Sequence, residues 1–270
     1  MGGAALATII SISISSFLAI WYIFAGKTAY RIRFHHCIPN FKTIGSIYRI
    51  GLPSMFMEMT ESVGFALFNH IAAGFGTVVL AAAGIAGRVS DLAFMPILGT
   101  GHGLLPIVGY SLGAKLWKRL WSAVKLANIC LILLMLAATA ILEIFTYQIV
   151  SVFNSDPDLL KVAVPGMRIF CSTLAFIGPT IICITTLQGL SKAKDAMILS
   201  LGRQFIFFIP GLFILSHFLG INGVWISMPV SDFLGAMTAG YWIFREYRMQ
   251  KRSGVWIKAP AVEKAAVTVD

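Results

Sequence analysis

Glu58 and Glu61 stand three residues apart in Met55-Phe56-Met57-Glu58-Met59-Thr60-Glu61-Ser62, a run otherwise without charge. On a helix that spacing puts both carboxylates on one face. Two carboxylates so placed repel when both are ionised, which equips the pair to hold a proton or a cation. Glu58 lies little more than a turn from Pro53, so a solvated position near the membrane surface is the alternative for it. Arg88 and Asp91 repeat the spacing with opposite charges, which suits a structural ion pair as well as a functional site. Asp232, in Met228-Pro229-Val230-Ser231-Asp232, has no local partner; it either faces a cavity or accepts hydrogen bonds from a neighbouring helix. Ionisable groups at bilayer depth cost at least about 2.5 kcal/mol each on insertion scales, which makes each a functional hypothesis. Glu61, Glu58, Asp91 and Asp232 are therefore the candidate cation-, proton- or substrate-binding residues. Arg168 and Glu143 fall closer to a membrane surface, where snorkelling suffices.

Other chemistry has no support. The sequence contains no H-E-x-x-H, G-x-S-x-G or Walker A pattern, which sets aside metalloprotease, serine hydrolase and P-loop ATPase. His35-His36-Cys37 offers too few convergent ligands for a metal site. Cys130, Cys171 and Cys183 lie in apolar runs, where a thiol packs as a small hydrophobe. We expect no catalytic residue, no metal and no cofactor: the chain reads as a non-enzyme. The apolar run at 222–244 has no lysine, which argues against a retinal protein.

The elements that must hold these groups are membrane helices. The 270 residues are 58% hydrophobic and 12% charged, against roughly 45–50% and 25% in soluble domains, and the mean hydropathy is +0.84. About 20 apolar residues cross a bilayer, and apolar runs near 3–25, 50–74, 78–112, 122–150, 163–190, 197–217 and 222–244 predict seven spans. Gly74-Phe75-Gly76-Thr77 and Asn154-Ser155-Asp156-Pro157-Asp158 supply turns between them. The net charge of +10 is concentrated in alternate connections, at Lys27 to Arg49, Lys115 to Lys125, Lys192 to Arg203 and Arg245 to Lys258. That alternation is the positive-inside pattern, with a cytoplasmic C-terminus, and not a nucleic-acid surface. Pro53, Pro96, Pro106, Pro165, Pro179, Pro210 and Pro229 free backbone carbonyls in the spans, as bent helices around a transport path do.

Gly51-Leu52-Pro53-Ser54, Ala81 to Arg88, and above all Gly101-His102-Gly103-Leu104-Leu105-Pro106-Ile107-Val108-Gly109-Tyr110-Ser111-Leu112-Gly113-Ala114-Lys115 resemble the C-terminal lobe of multidrug and toxin extrusion (MATE) transporters. Leu187 to Lys194, Arg203-Gln204 with Pro210, and Gly223-Val224-Trp225 before Pro229-Val230-Ser231-Asp232 continue the match, in order, to Tyr247. The resemblance is to the bacterial branch with NorM-like and DinF-like members. It implies an all-α integral membrane protein made of the last N-lobe helix (1–25), a basic inter-lobe loop (26–49), a six-helix C-lobe (50–247) and a polar cytoplasmic tail (248–270). It further implies an antiporter of the bacterial inner membrane, exporting drugs, toxins or organic cations for sodium ions or protons. Its partners would be the lipid bilayer, small hydrophobic or cationic substrates, and an N-lobe or a second copy of the chain. In NorM-like members an acidic residue matched by Glu61 works with another in helix ten, and the stretch Val164 to Leu190 has no acid. A lipid-linked precursor flippase of the wider superfamily and a non-transporting seven-helix protein are the alternatives.

Overall fold

The computed structural model describes residues 2–25, 41–154 and 156–252, and every regular element among them is helical. The chain divides into two compact units, Met1–Arg49 and Ile50–Asp270. The first holds α1 (Gly2–Phe24), a helix without a charged residue whose Ile9, Phe17 and Trp21 are exposed. Helix α2 (Phe41–Gly74) starts in the first unit and supplies the opening helix of the second. The others are α3 (Thr77–Gly113), α4 (Trp117–Ile144), α5 (Thr146–Phe153), α6 (Pro157–Cys171), α7 (Leu174–Gly189), α8 (Ala193–Leu201), a π-helical stretch (Gly202–Phe208), α9 (Ile209–Leu219) and α10 (Ile221–Arg252).

Each predicted span falls on helix, and several helices run beyond the apolar run: α2 starts at Phe41, α4 at Trp117, and α10 runs on to Arg252. Hydropathy marks where apolar residues stop, whereas a helix continues until a residue breaks it. Lys118, Arg119 and Lys125, and Arg245, Arg248 and Lys251, are consequently helical residues and not loop residues. The His35-His36-Cys37 triplet and the tail from Ser253 lie outside the described residues.

The turns follow their residues. Gly76 has φ +121°, a conformation open to glycine, between α2 and α3. Asp156 caps α6 by accepting from the Asp158 amide at 3.0 Å, with Pro157 at the first helical position. Within the predicted fourth span the helix breaks at Phe145, where the Thr146 hydroxyl donates back to the Leu142 carbonyl. In the fifth, α6 and α7 meet at 44°, and Ser172 makes the same kind of bond to Ile169.

Among the described residues α3, α4 and the segment Ala193–Leu219 are long and apolar enough to cross a membrane, and the α6–α7 pair meets the same measure only when its two helices are taken together across their bend. Lipid removes the usual drive to bury apolar surface, so close packing of small residues holds such helices together. Helix α3 turns Ala82, Ala83, Ala86, Gly87 and Ser90 inward, and Gly166 of α6 lies against the Trp225 indole of α10. Phe68 of α2 completes that contact, its ring centroid 6.1 Å from Phe170 and 6.2 Å from Trp225. Leu126, Leu133 and Ile141 of α4 point outward instead, an apolar exterior suited to acyl chains. The chain is a multi-pass all-α membrane protein.

Candidate functional site

Arg203 is the centre of the charged site. It lies in the π-helical stretch, where the widened turn breaks the regular ladder; such segments often mark functional sites. Ser231 of α10, fully buried, donates to the Arg203 carbonyl at 3.2 Å and so satisfies an acceptor inside the bundle. The Arg203 guanidinium then spans two helices. Its Nη1 donates to Asp232 Oδ1 of α10 at 2.9 Å, and its Nη2 to Glu61 Oε1 of α2 at 3.2 Å.

Two glycines seat this arrangement. A Cβ at Gly235 would stand 2.9 Å from Arg203 Cδ, and one at Gly64 would overlap the Gln204 side chain. Each glycine lies three residues after an acid, Glu61 on α2 and Asp232 on α10. One turn after Asp232 the gap admits Arg203 itself; one turn after Glu61 it seats Gln204, the neighbouring residue of the same π-helical stretch.

The two arms differ in burial. The side chains of Asp232 and Arg203 are 6% and 17% exposed, that of Glu61 51%. The Asp232 arm is a buried ion pair, whose breakage by loss of one partner costs about 3–5 kcal/mol. The Glu61 arm is accessible, and accessible pairs contribute about 0.2–1 kcal/mol. Arg203 is thus anchored on Asp232 and loosely held by Glu61. With both acids ionised, one guanidinium faces two carboxylates, leaving one negative charge for a further cation or proton.

The four predicted residues therefore separate. Glu61 and Asp232 come together through Arg203, and Asp232 takes the second of its two alternatives, hydrogen bonding to a neighbouring helix. Glu58 is exposed, and its carboxylate forms no ion pair among the described residues. Asp91 and Arg88 are both exposed on α3 and make no ion pair with each other, contrary to the structural pairing their spacing permits. Both project from the helix surface, and exposed opposite charges gain too little to fix two side chains in one geometry. Arg168 and Glu143 approach to 3.9 Å, partly exposed. Arg203 itself was expected in a basic connection; it sits inside the sixth span. The signal for it is an arginine six residues into an apolar run, which demands an acid, set beside an intramembrane aspartate without a local partner.

A family model described as MatE matches residues 53–214. The multidrug export protein MepA of Staphylococcus haemolyticus (strain JCSC1435) is 23% identical over 242 residues, 90% of this chain and 53% of that protein. MepA of Staphylococcus aureus (strain MSSA476) is 24% identical over 239 residues, 88% and 52% of the two chains. Among solved structures, the outward-facing conformation of a multidrug resistance MATE family transporter of the MOP superfamily superposes with a TM-score of 0.85 at 23% identity, covering 93% of this chain and 57% of that one. A mutant of the Vibrio cholerae MATE transporter VcmN gives 0.81 at 21%, covering 95% and 57%. These likenesses show the fold, and the chain spans about half the length of the relatives it matches.

Proposed function

The chain belongs to the MatE family, and from that membership and the Arg203 bridge we propose that it forms one lobe of a membrane exporter expelling drugs, toxins or organic cations in exchange for sodium ions or protons. The remaining lobe comes from a further segment or from a second copy, because alternating access needs two bodies to rock about a shared site. The observation that carries the reading is the unequal bridge: Arg203 fixed on buried Asp232, its other nitrogen resting on accessible Glu61.

Arg203 acts as a built-in cation in this scheme. An arriving sodium ion, proton or cationic substrate competes with Nη2 for Glu61, while Asp232 retains Nη1. Releasing Glu61 removes the one ion pair between α2 and the π-helical stretch among the described residues and leaves their packing contacts in place, which gives cation binding a mechanical consequence. Glu58, one turn earlier on α2, is the acid nearest in sequence to accept the cation in transit. Asp91 stays a secondary candidate on α3. The function is transport, with no enzymatic step.

Orientation follows the basic residues. Lys115, Lys118 and Arg119 at the α3–α4 turn, Lys192 and Lys194 at the α7–α8 turn, and Arg245, Arg248 and Lys251 at the end of α10 gather on alternate connections. The positive-inside rule puts these, and the C-terminus, in the cytoplasm of a bacterial inner membrane.

The test is dye efflux by the intact protein in cells or vesicles. Glu61→Gln should abolish efflux while insertion is retained, and Glu58→Gln should reduce it less. Unchanged efflux in Glu61→Gln rejects the proposed role.

A further inference from the structure

Along α4, Lys118, Trp121, Lys125 and Asn128 recur at spacings of three or four and form one stripe of the helix. The stripe walls an open cavity of about 670 Å³, with α7 at Ile182 as its floor and α10 at Gly240 and Phe244 opposite. It is separate from the Arg203 bridge and opens at the basic end of the bundle.

The two lysines are exposed, and no carboxylate among the described residues pairs with either. The buried acid at this end, Glu246, is already engaged. Lys192 Nζ donates to both its oxygens at 2.7 Å and Gln250 Nε2 to one at 2.8 Å. A third cation lies against a lining residue, the Arg248 guanidinium carbon being 4.6 Å from the centroid of the Phe244 ring. Deeper in, the walls turn apolar, and a Cβ at Gly240 would meet nothing within 4 Å. Asn128 Oδ1 is buried without a hydrogen-bond partner, an acceptor the protein leaves unfilled. Uncompensated cations over an apolar slot match one chemistry: an anionic headgroup attached to a hydrocarbon tail.

We propose that this groove binds an anionic phospholipid, its phosphate between Lys118 and Lys125 and one acyl chain passing Ile182 and Gly240. The lipid wedges between α4 and α10, helices joined here through Trp121, whose indole donates to Gln250 Oε1 at 3.1 Å and packs edge-on against Tyr247 at 5.2 Å between centroids. Occupancy would thus set how far the two helices stand apart at the basic end.

Native mass spectrometry of the whole chain in mild detergent, with phosphatidylglycerol and phosphatidylcholine of identical acyl chains, tests this. Each lysine near an anionic phosphate gives about a fivefold gain, so phosphatidylglycerol should bind about 30-fold more tightly. Combined Lys118→Ala and Lys125→Ala should remove the preference, and combined Lys118→Arg and Lys125→Arg should keep it, which separates charge from misfolding. Gly240→Leu leaves the cations in place and should weaken phosphatidylglycerol binding several-fold by filling the slot. Equal retention of the two lipids overturns the proposal, as does a preference that survives the alanine pair. Displacement by millimolar inorganic phosphate also overturns it, by reducing the site to one for a free anion.

Discussion

The unequal burial of the two carboxylates yields a test of the site that needs no substrate. Asp232→Asn removes the charge nearest Arg203, at 2.9 Å and with 6% of the Asp232 side chain exposed. Arg203, itself 17% exposed, is left with Glu61 at 3.2 Å. Stranding a buried charge costs about 3–5 kcal/mol. Glu61→Gln loses only an accessible pair and keeps a polar oxygen in place, so the loss is about 0.2–1 kcal/mol. At roughly 2–4 °C per kcal/mol for a chain of this size, Asp232→Asn should lower Tm by on the order of 10 °C and Glu61→Gln by less than about 4 °C. Thermal unfolding in detergent, followed by near-ultraviolet circular dichroism, reads both. Combined Arg203→Met and Asp232→Leu, apolar and of similar shape, should recover most of the loss, because a buried pair replaced as a unit is often neutral. Equal losses in the two single variants would refute the anchored-and-loose bridge, and so would a double variant as unstable as Asp232→Asn.

Three further outcomes follow from packing. Gly235→Ala pushes a methyl against Arg203 Cδ and Cγ; it should cost about 1–3 kcal/mol and much less on top of Asp232→Asn, the non-additivity of neighbours sharing a partner, read by the same unfolding assay. Gly166→Val drives its side chain into the Trp225 ring, which cannot swing aside within α10, so a loss of at least about 1–3 kcal/mol and a shifted tryptophan emission are expected. Lys192→Ala leaves Glu246, 5% exposed, with the hydrogen bond from Gln250 at 2.8 Å; since Lys192 is 37% exposed, the expected loss is about 1–3 kcal/mol, and Glu246→Gln in the same chain should restore part of it.

Much of the fold can be read from composition, because a membrane helix needs only an unbroken apolar run and the turns between runs carry their own residues. Gly76 and the Asp156-Pro157 cap mark turns that any reading of the sequence places correctly. Helix ends are less legible. Residues 248–252 read as the start of a polar tail, yet they continue α10 because they are good helix formers and Glu246, just before them, is tied to Lys192. The break at Phe145 and the bend between α6 and α7 are also hidden, since hydroxyls bonding back to the preceding turn leave no change in apolar pattern.

The charged site was half visible for a related reason. Glu61 and Asp232 stand out as acids in apolar runs, but spacing along one helix says nothing about an ion pair made across 29 residues in one arm and 142 in the other. The rule that misleads is the local one: it offers Arg88 and Asp91 as a pair, and the structure leaves both exposed without an ion pair between them. What organises the site is the acid-x-x-glycine step shared by Glu61-Gly64 and Asp232-Gly235, which opens each helix to the side chains of the π-helical stretch. At Asp232 the gap admits Arg203 itself, and at Glu61 it seats Gln204, which holds the same stretch against α2 so that Arg203 stands within reach of the carboxylate. Glu58 and Asp91 are followed three residues later by Glu61 and Phe94, which offer no such gap. On this argument the glycines, as much as the acids, decide which carboxylates the bridge can use.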